Sequence, residues 1–199
     1  MRMRMRIAIL TATVVVLGTS LVSMAGLALD GNAMSGWQGT LNFNSGGVLV
    51  AQAQYAVYAP TKYGGSAPIP ANEYVYAYQL YNVGSAALTT LTVGLLDGSG
   101  AANGGIDTTY GDVTPPGTPP SFANVYPGTF NVAFLTPQLP PVGGHSVVLL
   151  FTSPNGPTTT SASVIDSGLS SSASGAPTPL PEPATLILLG LSALVLRKR

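Results

Sequence analysis

Alternating side chains in the middle of the chain restrict its fold more than any other feature. Between Tyr74 and Tyr81, one set of side chains, Tyr74, Tyr76, Tyr78 and Leu80, alternates with a second set, Val75, Ala77, Gln79 and Tyr81. A period of two residues places the two sets on opposite faces of a β-strand. Because Asn82-Val83-Gly84 follows, the pattern predicts a strand that ends in a turn.

Two neighbouring segments have the same period. From Leu49 to Val57 apolar residues alternate with Gln52 and Gln54, and from Thr90 to Leu95 threonines alternate with apolar residues before Asp97-Gly98 turns the chain. Less regular strands are predicted over 40–43, 129–135, 146–152 and 161–165, where β-branched or aromatic residues lie between breaks of Gly, Pro and Asn. The alternating strands indicate an antiparallel sheet with one solvated face.

These strands predict an all-β fold. The 24 Gly and 17 Pro among 199 residues disfavour a long helical bundle, and the length allows one domain of ordinary size once targeting segments are set aside. Roughly seven short strands without a helical period favour an antiparallel β-sandwich, of which the immunoglobulin-like arrangement is one form. We assign this body to residues 29–166.

Two stretches have compositions that disfavour regular structure. Residues 98–120 are rich in glycine and proline, which predicts a long loop that is either functional or disordered. Residues 167–179 consist mainly of Ser, Ala, Gly, Thr and Pro, a composition that buries too little apolar surface to fold. We predict a flexible stalk there, which could carry O-linked sugar.

The N-terminus has the features of a secretory signal peptide. Met and Arg alternate over residues 1–6, an apolar helix-forming segment follows to Val22, and small residues come next. We predict a signal peptide over 1–28, cut after Ala25 or after Ala28. An uncleaved anchor is the alternative, and both interpretations place the body outside the inner membrane.

The C-terminus contains three parts in order. Pro181-Glu182-Pro183 is followed by an uncharged apolar segment, 184–196, and then by Arg197, Lys198 and Arg199. Prolines keep the first part extended, and the basic residues stop transfer and stay in the cytoplasm. The predicted transmembrane helix covers about 20 Å of a hydrocarbon core of roughly 30 Å, so it is short for a permanent span.

Residues 180–199 resemble the PEP-CTERM sorting signal of Gram-negative bacteria, through the Pro-Glu-Pro motif, the short apolar helix and the basic end. The resemblance implies that a membrane-embedded exosortase recognises and processes the chain. It also implies transient anchoring in the inner membrane, delivery to the cell surface or the extracellular space, and association with exopolysaccharide in a biofilm. A simple tail anchor is the alternative.

Charge and cysteine content exclude several classes of function. Between residues 29 and 181 there are six acidic residues and one basic residue, Lys62, which is a net charge of −5. Such a body has no basic patch for phosphates, so nucleic acid is not expected as a partner. The absence of cysteine excludes disulfides, thiolate metal sites and a cysteine nucleophile.

One set of oxygen-bearing side chains could hold a cation. Asp97, Asn103, Asp107 and Asp112 lie in one glycine-rich region, and Ca²⁺ takes six to eight oxygen ligands in a flexible shell. The spacing differs from that of an EF-hand, and exposed turns use the same residue types. We therefore expect no cofactor, with calcium as the alternative.

No catalytic residue is predicted. His145 is the only histidine and lies in a turn ahead of a strand, which favours a surface position. Glu73 is the only glutamate of the body, and no spacing gives it an acidic partner.

Tyrosines are concentrated between Tyr55 and Tyr81, where they could stack on sugars or pack across strands, and packing is the favoured interpretation. We expect a structural protein of the cell surface or extracellular matrix. The alternative is a carbohydrate-binding or adhesive module, with or without calcium.

Overall fold

A computed structural model of the chain describes residues 26–166 and 168–181. These residues form one 3-10 turn, Leu27–Leu29, and eleven strands. The strands are β1 Gln38–Ser45, β2 Val48–Tyr58, β3 Tyr74–Asn82, β4 Leu88–Gly94, β5 Ala102–Asp107, β6 Phe122–Tyr126, β7 Thr129–Ala133, β8 Gly144–His145, β9 Val148–Ser153, β10 Pro157–Asp166 and β11 Leu169–Pro179.

Helices are nearly absent from this part of the chain. In residues 26–166 and 168–181, no helix has the length and apolar character needed to cross a membrane. The predicted signal helix and the predicted transmembrane helix 184–196 lie outside the described residues.

The strands form two antiparallel sheets. In sheet A the order is β1-β2-β3-β9-β5, and β8 also pairs with β3. In sheet B the order is β11-β10-β4-β7-β6. The predicted all-β, antiparallel architecture is confirmed, and each strand predicted from the sequence corresponds to one in the structure, namely β1, β2, β3, β4, β7, β9 or β10.

The main hydrophobic core lies between the two sheets. Tyr76 and Phe151 of sheet A stack in parallel with ring centroids 5.0 Å apart, and Phe130 of sheet B lies 4.9 Å from Phe151. All three side chains are fully buried. Burial of each side chain of this size stabilises the fold by about 1.5–3 kcal/mol, so these contacts hold the sheets together.

The outer face of sheet A differs from the prediction of a solvated face. Ala56 and Tyr58 of β2 and Val75 and Ala77 of β3 form a second buried cluster with Leu27. Gln54 and Gln79, which the alternation assigned to the other face of their strands, are also fully buried. The reason is that loop residues such as Tyr63, Ala67 and Tyr110 pack onto this face and cover it.

Sheet B has the solvated face that the alternation predicts. On β4, Leu91 and Val93 are fully buried while Thr92 between them is half-buried, and on β10 Ala162 and Val164 are buried on either side of Ser163. Apolar side chains therefore enter the core on one face, and hydroxyl side chains occupy the other.

The prediction of a flexible stalk over 167–179 is wrong, because Leu169–Pro179 is strand β11. It pairs with β10 from Asp166↔Leu169 to Pro157↔Pro179, and Gly168, with a φ of 91°, lies in the turn between them. Ala176 is fully buried against the core. An edge strand needs few apolar side chains, because its neighbour satisfies one row of backbone groups and small residues fill the inward positions.

The predicted long loop 98–120 is also wrong in part, since it contains β5. This strand lies close to β6 of the other sheet at Gly104, where an added Cβ would lie 2.8 Å from the Ala123 carbonyl oxygen. Glycine is needed here for the close approach of two backbones, whereas the composition had indicated a loop.

Because β11 is a strand with one buried side, aspartate substitutions at two of its positions should have unequal effects on stability. We expect Ala176→Asp to lower the free energy of unfolding by about 3–5 kcal/mol, because it buries an unpaired charge. Ser174→Asp is the control: Ser174 is exposed, and its effect should stay within about 0.5 kcal/mol. Urea unfolding of the full chain in mild detergent measures the free energy of unfolding of both variants. If neither variant changes it, the assignment of residues 169–179 to a strand is contradicted.

Candidate functional site

Tyrosines and carboxylates meet on the covered outer face of sheet A. The Tyr58 hydroxyl, at the end of β2, donates a hydrogen bond to Asp30 Oδ2 at 2.7 Å, and the Tyr110 hydroxyl donates to the same oxygen. The rings of Tyr58 and Tyr63 meet edge to face at 5.1 Å, and those of Tyr63 and Tyr110 lie 4.8 Å apart. We call these four residues the tyrosine cluster.

Asp107, at the end of β5, holds two loops. Its carboxylate accepts hydrogen bonds from the Tyr63 hydroxyl at 3.1 Å, the Ala67 backbone N–H at 3.0 Å and the Thr109 backbone N–H at 2.8 Å. Only 2% of Asp107 is exposed. A buried carboxylate needs such donors, and here they come from the segments on either side of it in space.

Hydrogen bonds keep both carboxylates ionised. Burial raises the pKa of Asp107, but the donors from Thr109, Ala67 and Tyr63 outweigh burial, and its pKa is lower than the ordinary 3.8. The pKa of Asp30 is likewise lowered, because the bonds from Tyr110, the Asn32 backbone and Tyr58 outweigh burial.

The pKa values of the tyrosines in the cluster shift in the opposite direction. Burial, followed by the hydrogen bond to Asp30, raises the pKa of Tyr58 far above its ordinary value, and burial and Asp107 do the same for Tyr63. These carboxylates are therefore weak proton acceptors, and the phenols are weak proton donors, at neutral pH. The arrangement is suited to holding loops on a sheet rather than to moving protons.

A cavity opens beside the tyrosine cluster. It has a volume of about 450 Å³ and is lined by Asp30 and Tyr110 together with Gly26, Leu29 and Thr109. Four of the seven tyrosines between Tyr55 and Tyr81 cannot line such a cavity, because Tyr58, Tyr76 and Tyr78 are fully buried and Tyr81 is 5% exposed. The interpretation as packing residues is confirmed for these four.

The four candidate calcium ligands have separate surroundings. Asn103 donates to Thr152 Oγ1 at 2.9 Å, Asp107 holds the loops described above, the Asp112 backbone bonds Gln79, and Asp97 lies in an exposed turn. Within residues 26–166 and 168–181, no three His, Asp or Glu side chains are grouped so that they could hold a metal ion.

His145 and Glu73 are the remaining candidates for catalysis, and the structure gives each a packing or hydrogen-bonding role. The prediction of a surface position for His145 is wrong: the side chain is 5% exposed and its ring lies 5.6 Å from that of Tyr81. The reason is that His145 is part of β8, which pairs with β3 at Tyr81. Glu73 accepts hydrogen bonds from the Thr152 hydroxyl and from Asn103.

One residue separates the body from Pro181, the first residue of the predicted sorting motif. β11 ends at Pro179, and the Leu180 N–H donates to the Gly156 carbonyl at 2.8 Å. Pro181 lies close to the turn at Gly98, where an added Cβ would be 4.0 Å from the Pro181 Cβ. The other residues of the motif, Glu182 and Pro183, and the basic residues Arg197, Lys198 and Arg199 lie outside the described residues.

At the other end of the chain, Ala25 lies outside the described residues and Ala28 lies inside them. The Ala28 N–H donates to Gln54 Oε1 at 3.4 Å, and the neighbouring Leu27 is fully buried.

Comparisons of the chain with protein-family models, curated proteins and solved structures found no match.

Acidification should reveal the role of Asp107. A carboxyl with a lowered pKa stabilises the fold at pH values above 3.8, and this contribution is lost as the pH falls through the pKa of the folded state. We expect Asp107→Asn to lower the free energy of unfolding at pH 7 by about 1.5–3 kcal/mol and to flatten its dependence on pH below 4. Asp97→Asn, in an exposed turn, is the control.

Denaturant unfolding of the full chain between pH 3 and pH 7 measures this dependence. A variant with unchanged stability at pH 7 and an unchanged acid slope would contradict the role assigned to Asp107.

Proposed function

We propose that this chain is an exported, exosortase-processed protein of the cell surface or extracellular matrix, whose body has a structural role. The observation that carries the proposal is the position of Pro181, which follows the last strand of the sandwich after Leu180 alone. A folded body thus ends where the sorting motif begins. Pro181-Glu182-Pro183 is then an extended handle beside the body, and Arg197, Lys198 and Arg199 act as the membrane stop.

The precursor in this proposal is held in the inner membrane and then processed. Exosortase is its processing partner, and the mature protein is delivered to the cell surface or the exterior near exopolysaccharide. The proposed role requires no catalysis, cofactor or calcium. Glu73, the only glutamate of the body, bonds neutral groups, which supports a non-enzymatic role.

Export in this proposal uses a cut after Ala25 rather than after Ala28. Leu27 is fully buried among Ala56, Tyr58 and Val75, so removing it would open a cavity. Loss of a buried leucine side chain typically costs about 2–5 kcal/mol. Gly26 also fits closely, since an added Cβ would lie 2.5 Å from Gln54 Oε1. Residues 26–28 therefore suit the mature body better than the signal peptide.

We also infer that the sandwich is immunoglobulin-like, and the strand order supports this inference. Strands β2, β3, β9 and β5 are neighbours in that order in sheet A, and β4, β10 and β11 in sheet B. If these seven strands are lettered A to G in chain order, the first sheet has the order A-B-E-D and the second the order C-F-G. These are the strand orders of a constant-type immunoglobulin domain. β1 extends one sheet, and the hairpin β6–β7 extends the other beside β4.

A carbohydrate-binding module is the second candidate. Burial of Tyr58, Tyr76 and Tyr78 argues against the tyrosine-rich strands as its surface. A different surface favours carbohydrate binding, namely the uncharged outer face of sheet B. Hydroxyl and amide side chains lie next to one another on its neighbouring strands.

The cut after Ala25 predicts a mature protein that begins at Gly26. We expect Ala25→Leu to block processing, because the signal peptidase site needs a small residue before the cut. Ala28→Leu, the matched control, should be cut normally. Intact mass spectrometry of the exported protein measures the first residue, and a mature chain that begins at Leu29 would contradict this choice.

Processing at the other end predicts a mature protein without Arg197, Lys198 and Arg199. Replacing Pro181, Glu182 and Pro183 with alanine should leave the chain in the membrane fraction, because the extended handle is lost. Replacement of the exposed Pro140 and Pro141 serves as control. Fractionation with C-terminal mass spectrometry tests both claims, and an intact C-terminus on released protein would exclude exosortase processing.

A further inference from the structure

A row of uncharged polar side chains crosses the whole outer face of sheet B. Its members are directly paired across the five strands, in the order Ser172, Ser163, Thr92, Asn131 and Asn124. Paired residues project from the same face, and neighbouring strands are about 4.8 Å apart, so the row is about 19 Å long. Ser172, Ser163, Thr92 and Asn124 each have a donor and an acceptor of hydrogen bonds, whereas the Oδ1 of Asn131 is buried and leaves its amide N–H groups as donors.

An aromatic strip borders this row at the edge strand β6. Phe122 is 37% exposed and Tyr126 is 48% exposed, and both project from the same face as Asn124 because they lie two residues on either side of it. Along an extended strand the Cα atoms of these two residues are about 13 Å apart. The Asn124 amide donates to the Tyr126 hydroxyl at 3.3 Å, which links the row to the strip.

The row contains no charged side chain, and in β10 the nearest charge is Asp166, three residues beyond Ser163 at the end of the strand. Asp30 and Asp107 belong to the covered face of sheet A, and Glu73 bonds the Thr152 hydroxyl. Asp97 lies beside the strip, where it lines a cavity of about 360 Å³ together with Tyr126. A charged ligand would therefore find no opposite charge along the row, whereas a neutral, hydroxyl-rich ligand matches it.

We propose that the polar row and the aromatic strip bind a neutral polysaccharide. Sugar hydroxyls exchange hydrogen bonds with the Ser, Thr and Asn side chains, and sugar C–H faces stack on the rings of Phe122 and Tyr126, whose π faces carry partial negative charge. A second copy of the chain suits this face less well, because the row is polar and an interface of two such faces would bury little apolar surface. The inference rests on the proposed function, because export places this face among extracellular glycans.

The test uses the full chain with both ends intact, purified in mild detergent, and four probes. Cellulose, curdlan and agarose are neutral, and alginate is acidic. We expect retention on at least one neutral polysaccharide and at least tenfold weaker retention on alginate. Phe122→Ser combined with Tyr126→Ser should weaken retention at least tenfold, and so should Thr92→Lys in the middle of the row. Val48→Ser, at an exposed apolar position in the β1–β2 hairpin of sheet A, should leave it unchanged.

Three results would overturn the proposal. The first is failure of the wild-type chain to bind any neutral polysaccharide, and the second is binding that survives the double variant. The third is a wild-type dimer that the double variant dissociates, which would assign the face to self-association. Matched unfolding midpoints confirm that the variants fold, and intact masses of the chain recovered separately from exporting cells report sorting. If the chain is processed in those cells but its purified full-length form binds no glycan, only this inference is refuted. If the purified chain binds but the chain in cells stays unprocessed, only the sorting is refuted.

Discussion

The contact of Phe151 with Tyr76 and Phe130 joins the two sheets, and the rest of the body depends on it. Charged residues are 7% of the chain, so burial of apolar surface between the sheets provides most of the stability. A tyrosine in such a core also needs a partner for its hydroxyl. Tyr76 donates to the Asn155 carbonyl at 2.8 Å, and Tyr78 donates to the Pro177 carbonyl. The core thereby also fixes β11, a segment with little apolar surface of its own.

A second layer of packing depends on buried polar groups. Loops cover the outer face of sheet A, and side chains of the sheet hold them by hydrogen bonds as well as by packing. Gln79 bonds the Asp112 backbone in both directions, through its Nε2 at 2.6 Å and its Oε1 at 2.8 Å. Asp107 accepts a hydrogen bond from the Ala67 backbone N–H and so holds that segment too. Without these bonds, the buried Gln79 amide and Asp107 carboxylate would have no partners. The loops and the sheet therefore stabilise each other.

The sequence predicts the strands whose period lies in their own residues and misses structure that depends on distant partners. Tyr74 to Tyr81 shows its period locally, and β3 follows it. The composition of 167–179 indicates disorder, and only pairing with β10 and the bond from Tyr78 make it a strand. Similarly, Asp30 and Tyr110 are 80 residues apart, and no spacing rule connects them. His145 is buried because β8 pairs with β3, which its own turn does not reveal.

If exosortase processes this chain, the end of β11 determines how close the enzyme must come. A three-residue motif that starts at Pro181 reaches at most about 10 Å from the body, even when fully extended. That end is firmly held, because residues 176–179 are buried and the Leu180 N–H donates to the Gly156 carbonyl at 2.8 Å. The hydroxyl of Tyr78 also donates to the Pro177 carbonyl, although Pro177 and Pro179 lack a backbone N–H of their own. The body therefore stays folded up to Pro179, and an exosortase that processes the chain has to act close to the sandwich.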